Sequence, residues 1–122
     1  KGYAVISRKW KAGDRITLTL PMETRMTAAH PLVKENIGKR AVERGPIVYC
    51  IEQNDNTTDV DSAVLTPETE FTVSFTPQLL DGAGMLTAKQ GSGTSGTLHF
   101  TPYYAWDNRE PGKMAVWIKY NE

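Results

Sequence analysis

Alternation of apolar and polar residues with period two runs through most of the chain, the mark of strands with one covered face. It is cleanest in "RITLTL", where Ile16, Leu18 and Leu20 point one way and Arg15, Thr17 and Thr19 the other. The turn "KAGD" (Lys11 to Asp14) joins this run to a β-rich stretch from Tyr3 to Arg8. Together they predict a β-hairpin with an apolar inner face. Pro21 has no N–H for a ladder, so it ends or bends the strand, and "METRMTAA" continues as a second extended segment.

"RAVERGPIVYCIE" is the strongest strand candidate, and its pairing must change at Gly45-Pro46. Beyond that break Ile47, Tyr49 and Ile51 share one face, and Val48, Cys50 and Glu52 the other. "TEFTVSF" sends Phe71, Val73 and Phe75 inward. "QLLDGAGMLTAKQGSGTSG" holds a Gly-rich connection with one weak strand. "TLHFTPYYAW" and "KMAVWIKY" flank "DNREPG" and predict a hairpin with a longer loop. Its last strand puts Met114, Val116, Ile118 and Tyr120 on one face, and Ala115, Trp117 and Lys119 on the other. "HPLVKENIGK", between Pro31 and Gly38, is the one helical hint and has room for one or two turns. About seven to nine short strands with turn signals between them predict an all-β fold, an antiparallel β-sandwich of jelly-roll type.

A chain of 122 residues is enough for one domain with a core. Its 14 basic and 14 acidic side chains leave no basic footprint, which argues against a nucleic-acid partner. No apolar run approaches the roughly 20 residues of a spanning helix, so no membrane partner is expected. The chain opens on Lys1 inside strand-like sequence and reads as a piece of a longer polypeptide, so its compartment is unassigned. The lone Cys50 has no internal disulfide partner.

Few residues carry a chemical pattern. "GSGTSG" (Gly91 to Gly96) matches a phosphate-loop spacing, but β-like sequence with Pro102 follows where a helix N-terminus is needed. A hairpin loop is the better reading, and it leaves Ser92 and Ser95 without a base. Cys50, His30 and His99 lie too far apart in sequence for a zinc motif. "DNTTDVD" (Asp55 to Asp61) lacks the Gly and final Glu of a calcium loop and reads as a solvated turn. Glu35, Glu43, Glu52, Glu68 and Glu70 fit polar faces or loops. No metal or cofactor is expected in this segment.

The aromatic stretch "TPYYAWDNREPGKMAVWIKY" leaves two readings open. Alternation puts Tyr104 and Trp106 on one face and Tyr103 on the other. One reading packs these rings into the core, with the polar turn closing the end of the sandwich. The other makes Tyr104 and Trp106 stacking platforms for a sugar, with Asp107 and Arg109 as polar clamps. Core packing is the reading preferred from sequence. Asp107 and Asn108 also suit a turn for backbone reasons alone.

Three blocks in order carry a family resemblance. "RKWKAGDRITLTLPM" resembles the stretch that closes the middle β-domain of glycoside hydrolase family 127, the β-L-arabinofuranosidase group. "GKRAVERGPIVYCIE" resembles the strand opening that family's C-terminal domain, and "PYYAWDNREPGKMAVWI" its closing hairpin. The resemblance implies that catalysis and its zinc belong to a preceding (α/α)-barrel domain of the parent, whose substrate would be an arabinose-containing glycan. No catalytic residue of the family maps onto this chain, and Cys50 stands outside any metal motif. The implied role is a non-catalytic accessory domain that braces the barrel or mediates assembly. The alternatives are a carbohydrate-binding module and, more remotely, an autonomous hydrolase. Residues 1–122 are expected to form a single β-sandwich unit. Alternatively, residues 1–28 close the preceding middle domain and residues 29–122 form the C-terminal one. The barrel and the middle domain are then its expected partners. An arm cut from its own sheet would also favour a homodimer through strand pairing.

Overall fold

The computed structural model describes residues 2–90 and 96–122. The phosphate-loop look-alike, Ser92 and Ser95 included, therefore lies outside the described residues, apart from Gly96. Nine strands are described: β1 (Thr24–Thr27), β2 (Lys39–Arg44), β3 (Ile47–Glu52), β4 (Val64–Leu65), β5 (Phe71–Thr76), β6 (Ala83–Lys89), β7 (Thr97–Pro102), β8 (Met114–Ala115) and β9 (Ile118–Tyr120). The helical content is single 3-10 turns, as at Lys34–Asn36, where the sequence hinted at a turn or two.

The fold is all-β, but it is one curled sheet, a half-barrel rather than a sandwich of two sheets. Its order is β4-β9-β2-β3-β7-β6-β5, with β1 added beside β2 and β8 beside β3. The pairing is mixed, because β4 runs parallel to β9. The curl originates in β2. Val42 to Arg44 pair with β3, whereas Lys39 and Arg40 pair with β9. Where β2 turns away, β8 takes its place, so Ile51 faces Phe100 on one side and Ala115 on the other. A strand shared by two layers makes a corner, and no second independent sheet is needed to enclose a core.

The turn between β2 and β3 is Gly45-Pro46, where the sequence demanded a change of pairing. Gly45 has a φ of +56°, which suits the first position of a two-residue hairpin. A Cβ there would also lie 2.5 Å from the Met22 sulfur. The core fills the concave side: Val42, Tyr49, Ile51, Leu86, Leu98 and Phe100 from the long sheet, capped by Leu65, Ile118 and Val60. Phe71 meets Phe100 edge-on, with centroids 5.6 Å apart at 70°.

Four expectations are corrected. The arms Tyr3 to Arg8 and Arg15 to Leu20 form no ladder. Their turn is present, with the Lys11 N–H on the Asp14 carboxylate at 2.9 Å and Arg8 paired to it at 3.1 Å. The apolar face has no cover, Leu18 being 77% exposed, and a lone hairpin is marginal in water. Next, β5 is an edge strand. Phe71 is partly buried against the core, but Phe75, further along this edge strand, is 69% exposed. The stretch taken as one weak strand is the seven-residue β6, the partner of both β5 and β7. Finally, β7 and the C-terminal segment form no hairpin. That segment breaks at Val116 and Trp117, so β8 joins β3 while β9 joins β2 and β4.

Candidate functional site

The densest polar chemistry lies where β3 ends. Glu52, its last residue, is only 4% exposed, against the expectation of a polar face. The chain then makes a 3-10 turn (Gln53–Asp55), which sets Asp55 beside it. Arg109 reaches back across both. Its Nη2 donates to Glu52 Oε1 at 2.9 Å and to Asp55 Oδ2 at 2.6 Å, while Nη1 meets the other Asp55 oxygen. The Asp107 N–H adds a long bond to Glu52 Oε2 at 3.4 Å, and Thr101 Oγ1 donates to Asp55 at 3.4 Å. Hydrogen bonding to Asp55 foremost, then the two carboxylate charges, holds the Arg109 guanidinium above its already high range, against some desolvation.

A second clasp lies beside the first. Lys113 Nζ donates to Asp61 at 2.9 Å and to Asp59 at 3.5 Å. The Asp59 carboxyl is lowered, chiefly by the Asp61 N–H that donates to it and then by Lys113. Asn54 Nδ2 donates to the Glu110 carbonyl, and buried Asn56 bridges the Glu52 and His99 carbonyls at 2.8 and 3.1 Å. The three aspartates of the calcium-like run thus face two different cations. Among the described residues no group of three or more acids, histidines or cysteines converges on one point. The acids here receive hydrogen bonds that fasten one loop to another.

Cys50 is buried beneath this network, its Sγ donating to the Thr101 carbonyl at 3.5 Å. Burial, with Glu52 nearby, pushes its thiol up to about 12. The neutral thiol therefore supports the fold below its ordinary pKa near 9, and that support is lost as pH rises towards 12. Native protein is expected to be inert to an aromatic disulfide reagent at pH 8 and to react only on denaturation. A fast stoichiometric reaction without denaturant would refute this placement.

The aromatic residues lie differently from the packing reading. After Pro102 a 3-10 turn (Tyr103–Ala105) breaks the alternation and buries only Ala105. Tyr103 and Trp106 then fall on the same side and stack, centroids 6.3 Å apart at 24°. Tyr104 is 58% exposed and Trp106 36%. These rings lie at the surface, not in the core. A shallow depression of about 480 Å³ adjoins them, lined by Val48, Tyr103, Met114, Val116 and Trp117.

Of the four predicted site residues, the structure brings Tyr104, Trp106, Asp107 and Arg109 onto one segment. However, it turns Arg109 onto Glu52 and Asp55. Sequence reasoning missed those two partners, which lie more than fifty positions away, and the lining residues Val48 and Met114. The alternation that sets Val48 opposite Tyr49 and Trp117 opposite Ile118 was the available signal for the depression.

Comparisons with known proteins agree on one family. The model of the glycoside hydrolase family 127 C-terminal domain matches residues 24–119. The non-reducing end β-L-arabinofuranosidase of Bifidobacterium longum subsp. longum is 33% identical over 86% of this chain and 20% of its own length. A crystal structure of a family 127 β-L-arabinofuranosidase from Geobacillus stearothermophilus T6 superposes with a TM-score of 0.71 at 33% identity, covering 83% of this chain and 19% of that one. A second family 127 β-arabinofuranosidase gives 0.72 at 37% identity, over 82% and 17%. The chain thus spans about a fifth of the length of these relatives.

Proposed function

Because this chain belongs to glycoside hydrolase family 127, as its C-terminal domain, we propose that it is a non-catalytic accessory domain of a larger hydrolase acting on arabinose-containing glycans. The observation that carries this is the span: relatives named as arabinofuranosidases devote only about a fifth of their length to it. Two surface features support a bracing role. The apolar arm before β1 and the depression at Val48 and Trp117 both offer greasy area suited to another protein surface. A catalytic (α/α)-barrel and a middle β-domain of the same polypeptide are the partners this reading names, with residues 1–28 closing the middle one. The 122-residue chain alone is expected to release no product from an aryl arabinofuranoside. Turnover proportional to its concentration would overturn the reading.

The stacked, exposed Tyr103–Trp106 pair favours a second reading, a glycan-binding face with Tyr104 beside it. Titration with arabino-oligosaccharides decides between them. A saturable change in tryptophan fluorescence, abolished in Trp106→Ala, would establish glycan binding. The accessory reading expects a flat trace. The uncovered arm also makes self-association the expected state at high concentration, and light scattering that shows only monomer would count against it.

A further inference from the structure

The longest open edge of the sheet is β5. It ends the strand order and, among the described residues, pairs with β6 alone. Edge strands usually carry a charge, a proline or a bulge that blocks further pairing. The six residues "FTVSFT" carry no charge and no proline, and their register with β6 is unbroken from Phe71 to Thr76. Phe71 packs against the core, so Val73 and Phe75, on the same face, carry the apolar concave side out beyond its cover. An unguarded edge with exposed apolar side chains accepts an added strand.

The same chain holds a strand without a ladder. Residues 15–20 match β5 in length, and Ile16, Leu18 and Leu20 are exposed on their apolar face. Aligned in parallel with β5, these three lie beside Phe71, Val73 and Phe75, while Thr17 and Thr19 lie beside Thr72 and Ser74. Pro21 and Pro77, one residue apart in this register, then end both strands. Charge supports the match. Residues 8–15 hold Arg8, Lys9, Lys11 and Arg15 against Asp14 alone, whereas residues 66–87 hold Glu68, Glu70 and Asp81 and no cation. Charge also sets the direction. The parallel alignment puts Arg15 opposite the exposed Glu70, but the antiparallel one brings Glu23 towards Glu68. Opposite charges across strands favour pairing and like charges oppose it, which outweighs the slightly weaker parallel ladder.

We propose that β5 is the docking edge for a second copy of this chain, whose residues 15–20 add to it as a parallel strand with Arg15 facing Glu70. Six residues a side fall below a standard interface, so the association is weak, with a Kd on the order of 100 µM. Where a middle domain closes on residues 1–28 the arm is already taken, so pairing through β5 belongs to chains whose arm is free. The proposal gives the arm's self-association a named edge. It stands apart from the accessory reading, which fails on a different outcome, hydrolysis by this chain.

The test combines light scattering with paramagnetic mapping of the 122-residue chain. The mass should rise above the monomer's as protein approaches about 1 mM. Isotope-labelled chain is then mixed with unlabelled Ala12→Cys chain carrying a nitroxide in the turn before Arg15, with the buried Cys50 left unmodified. Broadening is expected at the β5 amides, strongest at Glu70 and Phe71. Val73→Lys, at an exposed edge position, should abolish it and keep the native spectrum elsewhere. Arg15→Glu and Glu70→Arg should each weaken association about tenfold, and the two together should restore it. Monomer alone at about 1 mM would overturn the proposal. So would broadening strongest at Asp81, which marks the antiparallel alignment, or broadening on a strand other than β5. Association that the Arg15 and Glu70 variants leave unchanged would overturn it as well.

Discussion

Phe100→Ala is expected to lower the unfolding free energy by about 4 kcal/mol, and Phe75→Ala by less than about 1 kcal/mol. Both are phenylalanines on strands of one sheet, so the difference tests how the half-barrel is covered. Phe100 is fully buried in β7, in register with Ile51 on one side and Leu86 on the other, with Phe71 edge-on at 5.6 Å. Its removal leaves a cavity that these rigid neighbours cannot close, so lost transfer energy and lost contacts add. Phe75 is 69% exposed on the edge strand, with its ring against Gly82, and so has little burial to lose. Domains of this kind have about 5–15 kcal/mol to lose, so Phe100→Ala could leave a large unfolded fraction. Urea titration of both variants gives the comparison. Equal losses would mean that the concave side is covered as well at β5 as at β7.

The same contrast marks how far the sequence could be read. Alternation located β2, β3, β5 and β7 because each residue's face depends only on its neighbours along the chain. It could not say that β5 lies at an edge, so Phe71 and Phe75 looked equivalent. Their difference comes from which part of the edge strand the core cluster reaches, Phe71 and not Phe75, a tertiary fact. The alternation was carried straight through Pro102, but the 3-10 turn after it puts Tyr103 on the same side as Trp106. The run from Arg15 to Leu20 alternates cleanly and forms no ladder, because alternation records the cover a strand is made for, not the cover it has. Arg109 stood out in the sequence as a polar side chain offered to a sugar. Its partners were not legible, since Glu52 and Asp55 become neighbours only when the loop after β7 folds back over the end of β3.

Arg109→Ala is the sharper test of that loop closure, with an expected loss of about 2 kcal/mol. Removing one member of a fully buried ion pair costs about 3–5 kcal/mol, because the remaining charge is stranded. Here the Arg109 side chain is 36% exposed and that of Asp55 21%, so water screens part of the effect, while Glu52 at 5% receives little such help. At about 4 °C per kcal/mol the melting temperature should fall by about 8 °C. Arg109→Lys should recover only part of this, because an ammonium cannot present two parallel donors to Asp55. The cause is separable by a second change. In the Arg109→Ala background, Glu52→Gln removes the stranded charge and should restore about half the loss, although Glu52→Gln alone destabilises the native protein. The fluorescence of Trp106, three residues before Arg109, should become more solvent-exposed in Arg109→Ala and stay so in the double variant, because the loop remains unfastened. A loss below about 0.5 kcal/mol in Arg109→Ala would place the pair among ordinary surface ion pairs. In that case the guanidinium would be free to serve as the glycan clamp that the sequence first suggested.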